Sequence, residues 1–243
     1  MKKTSGTSKT TTARILGIDI GGSGLKAAIV NPSGRMLSRR VRMKTPEGAK
    51  PQAFIDLLAE LTAPLGGFNF IAVGFPGYVR DGTVYTAPNL GTAKWAGFPL
   101  ADALETRLGR PVRLFNDADL QGMAAIRGKG LELVCTLGTG YGTAWFRDGE
   151  LLPHMELAHI PFHKGRDLDQ YLGEKAREEA GDKKWNKRLE KVIAMLATVL
   201  NYDHLYFGGG NSERITLDLP RNISIVSNRD GLKGAAFAWF PRS

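Results

Sequence analysis

Twice along this chain a β-branched apolar run ends in a cluster of glycines and a second apolar run resumes at once. Arg14–Ile20 (RILGIDI) gives way to Gly21-Gly22-Ser23-Gly24 and then to Leu25–Val30 (LKAAIV). Leu131–Leu137 gives way to Gly138-Thr139-Gly140-Tyr141-Gly142 and then to Thr143–Phe146. Strand, glycine turn, strand reads as a hairpin. A doubly wound parallel sheet with helical crossovers throughout does not begin with hairpins. Two such hairpins, each opening an α/β stretch, predict two similar lobes with a cleft between them and a weak internal duplication.

The remaining elements follow from periodicity and punctuation. Residues 1–13 are polar and aperiodic and read as a disordered tail. After the Asn31–Gly34 turn, Arg35–Lys44 reads as a third strand with a basic face. Helical spacing covers Pro51–Leu61 and Leu100–Leu108, the latter closed by Gly109. Phe70–Phe75 is a short buried strand broken by Pro76-Gly77, and Val112–Phe115 is another. Helix is expected over Leu120–Arg127, over Asp182–Asn201, the longest, and over Gly231–Trp239. Strands are expected at Tyr202–Phe207, ended by Gly208-Gly209-Gly210, and at Ile223–Val226. These assign residues 14–115 to a small N-terminal lobe and 116–229 to a larger one. The end of the chain, from about residue 230 to 243, is expected to pack back on the first lobe.

Composition narrows the function classes. Glycine supplies 30 of 243 residues, against about 7% on average, and without a collagen period the excess belongs in tight turns and ligand loops. The formal net charge of +9 invites a polyanionic partner, but Lys2, Lys3, Lys9 and Arg14 supply four of those charges in a stretch with no acid. Cys135 is the one cysteine, so neither an internal disulfide nor a multi-cysteine zinc site is expected, and a reducing, cytoplasmic setting fits. No 18-residue apolar run and no apolar leader is present, so neither a membrane span nor a signal peptide is expected. No aromatic-basic ribbon or zinc-finger spacing supports nucleic-acid binding.

The chemistry-bearing residues sit at the strand ends. Glycines let backbone N–H groups approach an anion without a Cβ in the way, so the 21–24 and 138–142 loops are candidate phosphate cradles, with the Thr139 hydroxyl as an added donor. Read singly, either loop is equally an ordinary turn; their matching positions favour the joint reading. Asp19 precedes the first loop and could hold a cation beside phosphates. Asn116-Asp117-Ala118-Asp119 lies between a strand end and a helix start, a pattern that serves helix capping or places a carboxylate base. Glu156 and His159, three apart, could both reach one polyol. A metal site from His154, His159 and His163 is disfavoured by their irregular loop spacing.

In these residues the sequence resembles the ROK family of sugar kinases, within the actin-like ATPase (hexokinase) superfamily. The matching stretches are LGIDIGGSGLKAAIV (16–30), GFPGYVRDGTVYTAPNL (74–90), LFNDADLQGMAA (114–125), LGTGYGTAWFRDGELLPHMELAH (137–159) and FGGG (207–210), in the family's order. They look most like its polyphosphate-using glucokinases and glucomannokinases. The resemblance implies a two-lobed α/β fold and transfer of a phosphoryl group to a hexose: glucose, with mannose as a second candidate. It implies Asp117 as general base toward the sugar 6-hydroxyl. Asn89, Asn116, Glu156, His159 and Gly77 would contact the sugar, with Asp169 matched to a sugar-contacting family Glu. Asp19 would help hold Mg²⁺ through water. Gly21, Gly22, Ser23, Gly24, Lys26, Gly138, Thr139 and Gly140 would cradle donor phosphates, and Gly208, Gly209 and Gly210 would lie where relatives receive a nucleoside. A homodimer is implied, and zinc is not. Three departures stand out: Ala158 replaces the glycine of the family's E-x-G-H, the family's zinc-binding cysteines are missing, and Asp169 is one methylene shorter than the Glu it matches.

The donor stays open between inorganic polyphosphate and ATP. On a helical wheel of Asp182–Asn201, Lys183, Lys184, Lys187, Arg188 and Lys191 read as a row opposite the apolar face. Such a row could track a polyphosphate chain, or be a solvated helix back. A strictly ATP-dependent kinase of glucose or mannose, and a non-catalytic sugar-binding relative, are the alternatives. The DNA-binding segment of the family's repressor branch is not expected, since only residues 1–13 precede the first strand.

Overall fold

In the computed structural model, residues 12–22, 24–46 and 48–241 are described. The expected tail therefore lies almost entirely outside the described residues. The fold is α/β. The described chain divides into two compact units, one running to Ala124 and taking back Leu232–Pro241, the other Ala125–Gly231.

The first unit is built on β1 (Ile15–Ile20), β2 (Gly24–Val30) and β3 (Val41–Lys44), followed by helix α1 (Pro51–Thr62) and β4 (Phe70–Phe75). A small hairpin, β5 (Val79–Arg80) and β6 (Thr83–Val84), then leads to α2 (Thr92–Trp95) and α3 (Leu100–Leu108). β7 (Val112–Asn116) runs directly into α4 (Asp117–Ala125). The sheet order is β3-β2-β1-β4-β7, with the β1–β2 and β2–β3 pairs antiparallel and the β1–β4 and β4–β7 pairs parallel. Alternate residues of a strand face opposite sides. Leu16, Ile18 and Ile20 therefore share one core with Ile71, Val73 and Phe75 of β4 and with Phe54, Leu58 and Leu61 of α1. Fully buried Trp95 anchors that core, ringed by Phe54 at 5.3 Å, Phe75 at 5.2 Å and Phe98 at 6.0 Å.

The third strand is shorter than the sequence suggested. Ala27 faces Val41, yet the next bridge pairs Val30 with Met36, so the 36–41 side carries two extra residues. The Ser38 hydroxyl takes the place of a ladder carbonyl, accepting the Ile29 N–H at 2.9 Å. A bulge of this kind leaves the extra residues outside the ladder.

The second unit repeats the plan. β8 (Leu131–Leu137), β9 (Tyr141–Arg147) and β10 (Glu150–Leu151) form the antiparallel part. A two-stranded pair, β11 (Pro161–His163) and β12 (Arg166–Asp167), precedes helices α5 (Leu168–Leu172), α6 (Glu174–Ala180) and α7 (Asp182–Leu200). β13 (His204–Gly208) and β14 (Ile223–Ile225) complete the order β10-β9-β8-β13-β14, both joined in parallel. Trp185, Leu189, Val192 and Leu196 of α7 pack on Leu133, Cys135 and Leu137 of β8. At the start of this unit the Glu132 carboxylate, 1% exposed, accepts the N–H groups of Arg127 and Gly128 at 2.7 Å and Lys129 at 3.0 Å, and the Tyr206 hydroxyl at 2.7 Å. A buried charge is tolerated only with such a set of donors.

The chain then returns to the first sheet. Residues 228–233 form a 3-10 turn and α8 (Gly234–Trp239) follows, so the expected helix over 231–239 is α-helical only in its second part. Gly17 faces Ala235, and a Cβ on Gly234 would overlap the Leu120 carbonyl oxygen. Trp239 donates Nε1–H to the Ile71 carbonyl at 3.0 Å and lies under the Arg113 guanidinium at 4.3 Å. Because no side-chain rearrangement relieves a clash with backbone, Gly234→Ala should cost about 1–3 kcal/mol. Its urea midpoint should fall at unchanged m-value; an unaltered midpoint would contradict this packing.

Candidate active site

The candidate site residues of the first unit gather at the C-terminal edge of its parallel strands, where open α/β sheets receive ligands. Asp19 lies near the end of β1 and pairs in register with Lys26, whose Nζ is 3.2 Å from Asp19 Oδ2. The glycine turn beyond is closed by Gly21 N–H to the Gly24 carbonyl at 3.0 Å and held from outside by the Thr45 hydroxyl, 2.7 Å from the Gly21 carbonyl. A Cβ on Gly22 would sit 3.1 Å from Asn89 Nδ2, so these two predicted site residues are neighbours. Ser23 lies outside the described residues.

The next two parallel strands bring Gly77, Asn116 and Asp117 together. Asn116, 7% exposed, donates Nδ2–H to the Gly77 carbonyl at 3.1 Å. Its Oδ1 accepts the Ala118 N–H at 2.8 Å, a bond the Asp117 Oδ1 shares at 2.9 Å. The helix starts at Asp117 rather than at Leu120, the start read from the sequence. The Asp117 carboxylate thus stands in the first turn of a nine-residue helix, where the helix dipole favours an anion. Capping and a charged group aimed from a strand end coexist here. Gly77 has no room for a side chain, because a Cβ would overlap the Thr86 carbonyl oxygen, while the Thr86 hydroxyl accepts the Tyr78 N–H at 2.9 Å.

In the second unit the 138–142 loop meets the Gly208–Gly210 segment. A Cβ on Gly209 would overlap the Leu137 backbone, and Asn211 donates to the Gly138 carbonyl at 3.2 Å. Thr139 is exposed. Asp169 Oδ1 accepts the Tyr141 N–H at 2.7 Å, filling the space a Cβ on Gly140 would need, so this candidate sugar ligand is also tied to the second glycine loop. Tyr141 is held at its other end by Cys135, with Sγ to hydroxyl 3.0 Å. Burial pushes the Cys135 thiol up to about 12 and the Tyr141 phenol well above its ordinary value.

Glu156 and His159 flank a single 3-10 turn, Leu157–His159. Ala158 between them is 5% exposed and belongs to the second core, so its methyl group is directed into packing rather than toward ligand space. His154 Nε2 lies 3.5 Å from Glu156 Oε1, and the imidazole beside it holds the Glu156 carboxyl below the ordinary value against the opposing effect of burial. His159 Nδ1 is 3.3 Å from Asp167 Oδ2, the carboxylate that caps α5. His163 packs on the Tyr171 ring at 5.4 Å. The three histidines thus have three different partners, and among the described residues no group of three metal-ligating side chains converges.

The basic row of α7 loses one member. Arg188 lies only about 60° from Trp185 on the wheel, and it donates to the carbonyls of Tyr171 and Ala176, each at 3.3 Å, with its guanidinium 5.0 Å from the Tyr171 ring. Lys183, Lys184, Lys187 and Lys191 remain exposed. Thr45, Thr86, Tyr141 and Asn211 support the loops; no sequence pattern marks them, and all but Thr86 act across more than twenty positions.

Two outcomes follow from the electrostatics. Cys135 should resist thiol reagents at pH 8 in the native state and react only on unfolding. The same raised thiol supplies stability that is full below its ordinary value of 9.0 and fades as pH rises toward about 12; fast native labelling would contradict this burial. His154→Leu should move the Glu156 titration midpoint up from its lowered position, read by carboxyl NMR. No movement would remove His154 as the cause.

Comparison with known proteins places the chain. The model of the ROK family matches residues 15–162. The polyphosphate glucokinase of Mycobacterium tuberculosis (strain ATCC 25618 / H37Rv) is 32% identical over 254 residues, covering 97% of this chain and 95% of that protein. The inorganic polyphosphate/ATP-glucomannokinase of Arthrobacter sp. strain KM superposes with a TM-score of 0.82 at 32% identity, over 93% of this chain and 98% of that one. A ROK family glucokinase from Streptomyces griseus, solved with glucose and AMPPNP, shares the fold at 22% identity, with a TM-score of 0.76 over 92% and 98% of the two chains. By its sequence over most of its length and by its actin-like ATPase fold, the chain belongs to the ROK family.

Proposed function

We propose that this protein is a hexokinase-type phosphotransferase that makes glucose 6-phosphate from glucose, with inorganic polyphosphate and ATP as donors and mannose as a second acceptor. The observation that carries the reading is the Asp117 carboxylate, set in the first turn of α4 beside the Asn116–Gly77 hydrogen bond. It stands in a chain related over nearly its whole length to polyphosphate glucokinases.

A primary hydroxyl is a weak nucleophile and needs a base within hydrogen-bond reach and a phosphoryl group held in line. Asp117 takes the proton of the sugar 6-hydroxyl as that oxygen bonds to the terminal phosphorus. The bridging P–O bond breaks, and the donor leaves one phosphate shorter. Asn89, Asn116, Glu156 and His159 hold the other hydroxyls, with Glu156 kept ionised as an acceptor. The Gly21–Gly24 and Gly138–Gly140 loops, with Lys26 and the Thr139 hydroxyl, receive donor phosphates, and Gly208–Gly210 border a nucleoside. Asp169 joins the residues at the sugar and also fixes the second loop through its bond to the Tyr141 N–H.

A magnesium ion suits the first loop on donor chemistry: such ions take one or two carboxylates together with water and substrate phosphate. Asp19, 14% exposed in its side chain, offers one carboxylate there and would hold the ion through water. When bound, Mg²⁺ neutralises charge on the transferring group. The exposed α7 lysines add long-range attraction for a polyanion. A homodimer, as the family resemblance implies, and a cytoplasmic setting, in keeping with the buried lone thiol, complete the reading. Among the described residues no helix is long and apolar enough to cross a membrane.

The test is hexose 6-phosphate formation from glucose with Mg²⁺, comparing polyphosphate and ATP. Turnover is expected with both, and Asp117→Asn should lower kcat by about 10²–10⁴-fold while glucose still binds. A wild-type protein that binds glucose without turnover on either donor would make it a sensor and overturn the proposal.

A further inference from the structure

Beside Thr139 the second unit holds a cavity of about 380 Å³ whose walls include Arg166, Lys175, Gln170 and Glu179. Its size falls within the usual range for small-molecule sites. The cavity is built by the α5–α6 corner: a Cβ on Gly173 would lie 3.1 Å from the Thr139 carbonyl oxygen, so the corner is seated against the glycine loop. Lys175 and Glu179 stand one turn apart on α6, and Arg166 comes from β12. Asp169 also borders the space, but its Oδ1 is taken by the Tyr141 N–H. Neither Arg166 nor Lys175 forms an ion pair with the described residues, and both are exposed. Among the described residues none of those lining the cavity is aromatic, so they offer a purine nothing to stack on.

Resting on the proposal that the Thr139 loop receives donor phosphate, we infer that this cavity holds the rest of an inorganic polyphosphate chain. Arg166 and Lys175 contact the phosphates behind the one transferred. A guanidinium can grip phosphate oxygens in a bidentate fork and an ammonium acts as a point charge, so the pair suits a repeating anion.

The experiment uses the full chain and Arg166→Ala, Lys175→Ala and the double variant, each first shown to keep the wild-type urea midpoint. Calorimetric binding of tripolyphosphate without glucose should weaken at least fivefold in the double variant, with a shallower salt dependence. The ratio of kcat/KM for long-chain polyphosphate to that for ATP should fall at least tenfold, and Lys175→Arg should restore most of it. Unchanged tripolyphosphate affinity, or equal losses with polyphosphate and ATP, would overturn the inference and leave the kinase intact. Wild-type turnover with ATP alone would do the same. Absence of turnover with either donor would instead overturn the reading on which the inference rests.

Discussion

The loops of this protein depend on backbone lying directly against backbone. Gly77 against the Thr86 carbonyl, Gly209 against Leu137 and Gly234 against the Leu120 carbonyl are contacts closer than any Cβ would permit. The last two join elements far apart in sequence, and the first two lie in segments assigned to substrate or donor. Of the three glycines only Gly209 has a left-handed φ, at 89°, so Gly77 and Gly234 are required for space rather than for an unusual backbone angle. Tight backbone approach also fixes the loop carbonyls and N–H groups in direction, which is what an anion cradle needs.

Around these contacts a few polar side chains finish the loops. Tyr141 is the clearest case, tied through its N–H to Asp169 and through its hydroxyl to Cys135. The loop that carries Thr139 is therefore tied down at its C-terminal side while the threonine itself stays exposed. The first loop has a different support, the Thr45 hydroxyl on the Gly21 carbonyl. The two hairpins thus share sheet topology and differ in what holds their turns.

Much of this was legible in the sequence because it is local. The strands around both glycine turns, α1, α3 and the span of α7 follow from periodicity and punctuation, and the structure has them within a residue or two. The family motifs also lie where strands end. What was not legible depends on contacts between remote segments. Asp169 meets Tyr141 across 28 positions, and no pattern near Asp169 announces it. Arg188 belongs to the edge of the apolar face of α7 and not to the row opposite it, and the fold supplies it with two carbonyls and a ring. Ala158 stands between two polar candidates, and only the packing of its turn reveals an inward methyl group. The third strand was overread because a run of alternating residues cannot show a register shift against its partner.

The return of α8 to the first sheet has a consequence for how the molecule is made. Domains generally fold as units, and during synthesis the N-terminal one folds first. Here that order cannot hold to completion. β1 and β4 leave one face waiting for Ala235, Trp239 and their neighbours, which are translated after every strand of both units. The second unit has its whole sheet once β14 is made. On the ribosome the first unit is begun first and finished last, and until then the apolar face around Gly17 and Phe70 is the nascent chain's exposed surface, the one a chaperone would meet.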